Sequence, residues 1–196
     1  MLAFAAGVVI AAAFFELLPE ANVEANWLFL GLGFFTYYLM EKGLELHACG
    51  EDECDARGAS WITVVGMASD NIIDGIGIGV GFAVDPVLGI VITLAVVAHE
   101  VPQGMVTTAI MKGAGYKLNR IIPTLIFAAV LYPAGAAISA LVPESFIQRA
   151  VAFVAGVFIY VGAAALLVES HKRFNTRVMA TVLLGALLVL GLNFLE

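Results

Sequence analysis

Two short runs near the middle of the chain, Asp70-Asn71-Ile72-Ile73-Asp74-Gly75 and His99-Glu100-Val101-Pro102-Gln103-Gly104, set oxygen and nitrogen donors into otherwise apolar sequence. Each has two adjacent polar side chains, a third four places after the first, and then glycine. A carboxylate at a bilayer centre costs roughly 2.5–3.5 kcal/mol on insertion scales, so Asp70, Asp74 and Glu100 need water, a cation or a partner. Residues four apart on a helix share a face, about 5–6 Å from one another. Asp70 and Asp74 therefore point one way, His99 and Gln103 do so on the next helix, and Asn71 and Glu100 lie beside them. Two such faces brought together surround a point with imidazole nitrogen and carboxylate oxygen, a donor set suited to zinc and also to iron or manganese. The set contains no cysteine, which fits a site that releases its ion better than a permanent structural one. Protonation of His99 or a carboxylate would weaken such a site and assist release. The structural alternative is a self-satisfied polar network with His99 bonded to Asp70.

The surrounding sequence defines what must position these groups. With 62% hydrophobic residues, 13% charged and a mean hydropathy of +1.00, the chain cannot clothe a soluble domain in polar surface, and reads as an integral membrane protein in the lipid bilayer. Seven apolar stretches, near 1–20, 25–46, 60–82, 86–111, 121–142, 147–168 and 178–195, each approach the ~20 residues that span a ~30 Å hydrocarbon core. They are too long and too uniformly apolar for barrel strands. The expected fold is an all-α polytopic bundle of about seven transmembrane helices, a single domain over 1–196, with short connections making consecutive helices antiparallel neighbours. Of the nine Lys and Arg residues, Lys42, Arg57, Lys112, Lys117, Arg120, Lys172, Arg173 and Arg177 fall on one side and only Arg149 on the other. Positive charge collects in the cytosol, which gives an N-in, C-out arrangement, and Trp27 and Trp61 fall where interfacial anchors belong. The net charge of −7 argues against a nucleic-acid partner.

The two motifs repeat at an offset of 29, Asp70 with His99, Asn71 with Glu100, Asp74 with Gln103 and Gly75 with Gly104, on helices that run in opposite directions. Inverted repeats of this kind place transport sites near the midplane. Pro102 removes the helical partner of the Ala98 carbonyl, either freeing it toward an ion path or only kinking the helix. Gly75, Gly77, Gly79 and Gly81 allow close packing or sliding of the third helix. Glu16 and Glu20 either draw cations inward or sit solvated at the interface. Glu169 and His171 mark either an exit or, as the preferred reading, only the helix boundary. The polar segment near 47–59, with His47, Cys49 and Cys54, is either a cytosolic metal-binding loop or a solvated acidic one.

These residues resemble the ZIP (Zrt/Irt-like) family of divalent metal transporters. That family carries His-Asn-x-x-Asp/Glu-Gly on its fourth helix and His-Glu-x-Pro-His/Glu/Gln-Gly on its fifth, and the two central motifs stand in those places. Phe14-Phe15-Glu16-Leu17-Leu18-Pro19-Glu20-Ala21 is similar to the end of the family's second helix. The resemblance implies metal ligation by Asp70, Asn71, Asp74, His99, Glu100 and Gln103. It also implies inward movement of Zn2+ across the cell membrane by alternating access, with four helices moving against a scaffold. No bound cofactor is implied. Asp70 replaces the usual first histidine, which makes the site harder and keeps Fe2+ and Mn2+ in view. Tyr132-Pro133 stands where members with two adjacent metals have Glu-Pro, so a single transport site is expected. The family has eight spans and the reading here begins at its second, which makes a homodimer or another partner a way to close the pathway. Two other classes remain beside transport. One is a non-transporting metal sensor or partner subunit. The other is an intramembrane metalloprotease of the His-Glu-x-x-His type, in which Gln103 stands where the second imidazole is required.

Overall fold

A computed structural model describes residues 1–48, 56–172 and 175–193, with the side chains of 44–63 and of 192 onward left aside. The cysteine-bearing part of the 47–59 loop, the side chains of His47 and Trp61, and Arg173 lie outside the described residues. Seven helices form the described chain: α1 Leu2–Glu20, α2 Val23–Ala48, α3 Ala56–Val84, α4 Pro86–Gly113, α5 Leu118–Ser139, α6 Glu144–His171 and α7 Thr176–Asn193. All seven stand within a few residues of the apolar stretches. Five helical segments, Leu2–Glu20, Val64–Val84, Pro86–Gly113, Leu118–Ser139 and Glu144–His171, are long and apolar enough to cross a membrane, and Thr176–Gly191 is a shorter apolar helix.

Local chemistry sets the helix ends. Asp85 precedes α4 in extended conformation, and its Oδ1 accepts from the Val87 N–H at 2.7 Å and the Leu88 N–H at 3.3 Å, while Pro86 fills a first-turn position that needs no donor. Asp85→Ala is expected to lower stability by about 1 kcal/mol, seen as a small drop in melting temperature with metal affinity unchanged. Between α1 and α2, Asn22 takes a positive φ of 45°. The buried Asn26 amide donates to the Ala21 carbonyl at 2.9 Å, where α2 kinks. Two π-helical segments, Ala12–Leu17 in α1 and Tyr160–Leu167 in α6, leave no trace in hydrophobic periodicity.

The packing departs from the expected chain of neighbouring hairpins. Three of the broadest associations are nested, α1 with α7, α2 with α6 and α3 with α5, about α4 at the centre of the order, and α1 packs as broadly along α6. Of consecutive helices, α3 and α4 pack extensively, whereas α4 and α5 barely touch. Short connections require opposite direction but not contact. Contact goes instead to glycine, which lets backbones approach where lipid supplies no hydrophobic drive for association. A Cβ on Gly7 would strike the Val182 carbonyl, and one on Gly185 the Phe4 carbonyl. Gly33 and Gly156 abut Phe153 and Leu30 in the same way, and Gly75 and Gly135 abut Tyr132 and Ile72. Within the glycine run of α3 the roles alternate: Gly75 and Gly79 meet α5, while Gly77 and Gly81 meet Val154 of α6 and Ile92 of α4. The dry core lies between α1, α4 and α6, with Val9, Ala12, Val91, Ile92, Ala95 and Ala155 fully enclosed. Outward faces carry apolar side chains, such as Leu28, Leu32, Phe35 and Leu39 on α2, the reverse of a soluble bundle.

Candidate functional site

α3 and α4 bring the two motifs face to face. His99, 2% exposed, and Asp74, 3% exposed, meet across the helix pair with Nε2 3.0 Å from Oδ2. Glu100 Oε1 lies 3.9 Å from the same nitrogen. One ligand-capable atom from each of Asp74, His99 and Glu100 falls within 4.8 Å of the others. A divalent ion among these atoms would hold two carboxylates and one imidazole, leaving room for water.

The imidazole is oriented from behind. Nδ1 lies 2.9 Å from the Ala95 carbonyl, one turn back along α4. A carbonyl only accepts, so Nδ1 carries the hydrogen and Nε2 is the nitrogen turned to the carboxylates. With Nδ1 protonated, a single proton between Nε2 and Asp74 Oδ2 holds the pair at hydrogen-bond distance. A cation that takes both atoms must displace that proton. Phe158 of α6 packs edge-on against the ring, centroids 6.4 Å apart and planes at 83°. The self-satisfied network foreseen as the alternative therefore joins His99 to Asp74, not to Asp70.

Asp70 and Gln103 form a second tier one turn toward the basic end. Gln103 Nε2 donates to Asp70 Oδ2 at 2.9 Å, and the Tyr37 hydroxyl of α2 faces the same carboxylate. Asn71, fully buried, donates from Nδ2 to the Ala128 carbonyl of α5 at 2.8 Å. It thus ties the helix pair together, while its Oδ1 is buried with no hydrogen-bond partner. Glu100 Oε1 and the Tyr132 hydroxyl are likewise buried without one, although the phenol is close enough to Glu100 to couple with it electrostatically. Three carboxylates and unpartnered oxygens at mid-depth make a cluster that is incomplete by itself and suited to a cation.

A cavity of about 760 Å3 reaches this second tier. Asp70, His99 and Gln103 line its inner end, and Glu41, Lys42 and Lys172 line the other. Its mouth is thus at the basic side of the bundle. The ion pairs Glu41–Lys42 and Glu169–Lys172 stand there. His171 is exposed, its Nδ1 2.7 Å from the Leu167 carbonyl at the helix end. Glu16 lies in the π segment of α1 and Glu20 is exposed, and neither lines the cavity. Pro102 is buried within an α4 that runs unbroken from Pro86 to Gly113. Tyr37, Phe158 and the Ala95 carbonyl escaped sequence reasoning. An aromatic in an apolar helix carries no distinguishing pattern, and a backbone carbonyl carries none at all.

The sequence profile of the ZIP zinc transporter family matches residues 41–193, a span that holds both motifs. The chain belongs to the ZIP zinc transporter family. It is similar to the zinc transporter ZIP10 of Danio rerio, 28% identical over 124 residues that make up 58% of this chain and 15% of that protein. It is also similar to an Arabidopsis thaliana protein named as a "putative zinc transporter", 28% identical over 193 residues, 90% of this chain and 30% of that one. The chain therefore spans less than a third of the length of either relative. The family is described as one of zinc transporters, and membership in it sets aside the metalloprotease reading. In the ZIP frame, α3 and α4 are the two motif helices.

Proposed function

We propose that this ZIP protein carries a divalent cation, zinc foremost, through the cell membrane into the cytosol by alternating access. Asp74, His99 and Glu100 serve as principal ligands, and Asp70, Asn71 and Gln103 as auxiliaries. The observation that carries the reading is the convergence of three ligand atoms within 4.8 Å at the middle of two apolar helices. The cavity supports the direction, because it joins the second tier to the basic end of the bundle, the cytosolic side by charge. Above the site, Phe158 packs on the His99 ring and Gly77 lies against Val154 and Ile92, all three buried. These features support our reading of a carrier open inward, in which Asp70 and Gln103 would receive the ion as it leaves the upper tier. Tyr132 places a phenol beside Glu100 and supports one ion at a time.

Proteoliposomes loaded with a zinc-sensitive dye test this. Wild-type protein is expected to raise the internal signal after external zinc is added, and the double variant Asp70→Ala, His99→Ala to leave it at the level of empty vesicles. Equal influx from both proteins would reject the assignment.

A further inference from the structure

Arg149 is the one cation that charge distribution puts on the outer side, and it serves no part of the metal path. It lies near the start of α6, with its guanidinium 4.5 Å from the Phe146 ring centroid and 5.7 Å from that of Phe29 on α2. Among the described residues no carboxylate comes within ion-pair distance of it, including the exposed Glu144 on the turn before. Two aromatic faces hold the charge in place but accept none of its five N–H groups in-plane. Beside it opens a slot of about 250 Å3, walled by Ile76 of α3, Val142 after α5, and Phe29, Phe146 and Phe153. Its walls are apolar throughout, and its volume is below the ~300–1,000 Å3 of pockets for compact solutes.

A fixed cation with free in-plane donors, above an apolar slot at headgroup depth, is complementary to one kind of molecule: an anionic head on a hydrocarbon chain. We infer that Arg149 and this slot form a binding site for an anionic phospholipid of the outer leaflet. The phosphodiester accepts from the guanidinium, and part of one acyl chain lies between Ile76, Val142 and Phe153. Arginine suits this role because its planar fork meets phosphate oxygens in pairs while its face stays stacked on the rings. The site lies between the α2–α6 pair and the α3–α5 pair, and a lipid seated there touches α3 two residues after Asp74.

Native mass spectrometry of the full chain in detergent, incubated with phosphatidylglycerol or with phosphatidylethanolamine of identical chains, tests the inference without metal or transport. Wild-type protein is expected to carry one phosphatidylglycerol in preference to phosphatidylethanolamine. Arg149→Gln, which removes the charge, and Val142→Trp, which fills the slot and keeps the charge, are each expected to lower that occupancy about fivefold. Arg149→Lys is expected to retain part of it, and all variants are checked for wild-type elution and helicity. Equal occupancy by the two lipids would overturn the anionic assignment. Retention of phosphatidylglycerol by Val142→Trp would reduce the site to surface charge and overturn it as well. So would displacement of the lipid by millimolar inorganic phosphate, since a bare anion would then suffice.

Discussion

His99→Ala is expected to lower the initial rate of zinc influx into proteoliposomes by about 100-fold or more at subsaturating zinc, because removing one partner of a buried charged pair costs roughly 3–5 kcal/mol. The loss has two parts: a nitrogen ligand disappears, and Asp74, 3% exposed, is left without the imidazole that faces it. Asp74→Ala should fall equally far. The double variant should be little worse than either single one, since both remove the same constellation. Gln103→Ala, by contrast, loses one hydrogen bond to a partly buried carboxylate and is expected to slow influx only about tenfold, in keeping with the ~1.5–3 kcal/mol of a bond to a charged group. This gradient separates the two tiers. If Gln103→Ala proved as damaging as His99→Ala, the ion would be held a turn lower, at Asp70, and the assignment of principal ligands would be wrong.

The second expected result concerns the two glycines that close the motifs. Gly75→Ala puts a methyl group against the Tyr132 carbonyl of α5, a rigid backbone atom that cannot turn aside. Overpacking of this kind costs about 1–3 kcal/mol, and it pushes α3 away from α5 directly beside Asp74. Gly104→Ala meets nothing within 4 Å. It is expected to be neutral or to gain up to about 1 kcal/mol from better helix propensity. The thermal unfolding midpoint in detergent should therefore fall for Gly75→Ala and hold or rise for Gly104→Ala, two substitutions that look identical in the sequence. Equal destabilisation by both would mean that Gly104 faces a packed surface after all.

That contrast marks the boundary of what the sequence carries. Asp74, His99 and Glu100 were legible as a group because charge is costly in an apolar helix and spacing fixes which charges share a face. The helices themselves were legible for the same reason, as uninterrupted apolar length. The nested packing was not, because glycine looks alike whether it abuts a carbonyl, as Gly75 does, or stands open, as Gly104 does. The motif's four-place spacing predicted Asp70 and Asp74 as equals. The structure gives them different partners, Gln103 for one and His99 for the other, because rise along the helix separates them in depth while their angular position is shared. The 29-residue repeat, by contrast, is kept in the contacts: Asp74 faces His99, and their counterparts Gln103 and Asp70 face each other, although the residue types differ.

The nesting of α1 with α7 bears on how the molecule is made. Helices enter the bilayer in chain order as the ribosome delivers them, yet Gly7 must wait for Val182, and Phe4 for Gly185, from the far end of the translated sequence. Inner pairs can settle earlier, α3 with α5 before α2 with α6, so assembly proceeds outward from the motif helices. The seam between α1 and α7 closes last. Until then the small-residue face of α1 is open to lipid or to insertion machinery, and a nascent chain halted before α7 holds its motif helices in place with an unfinished rim.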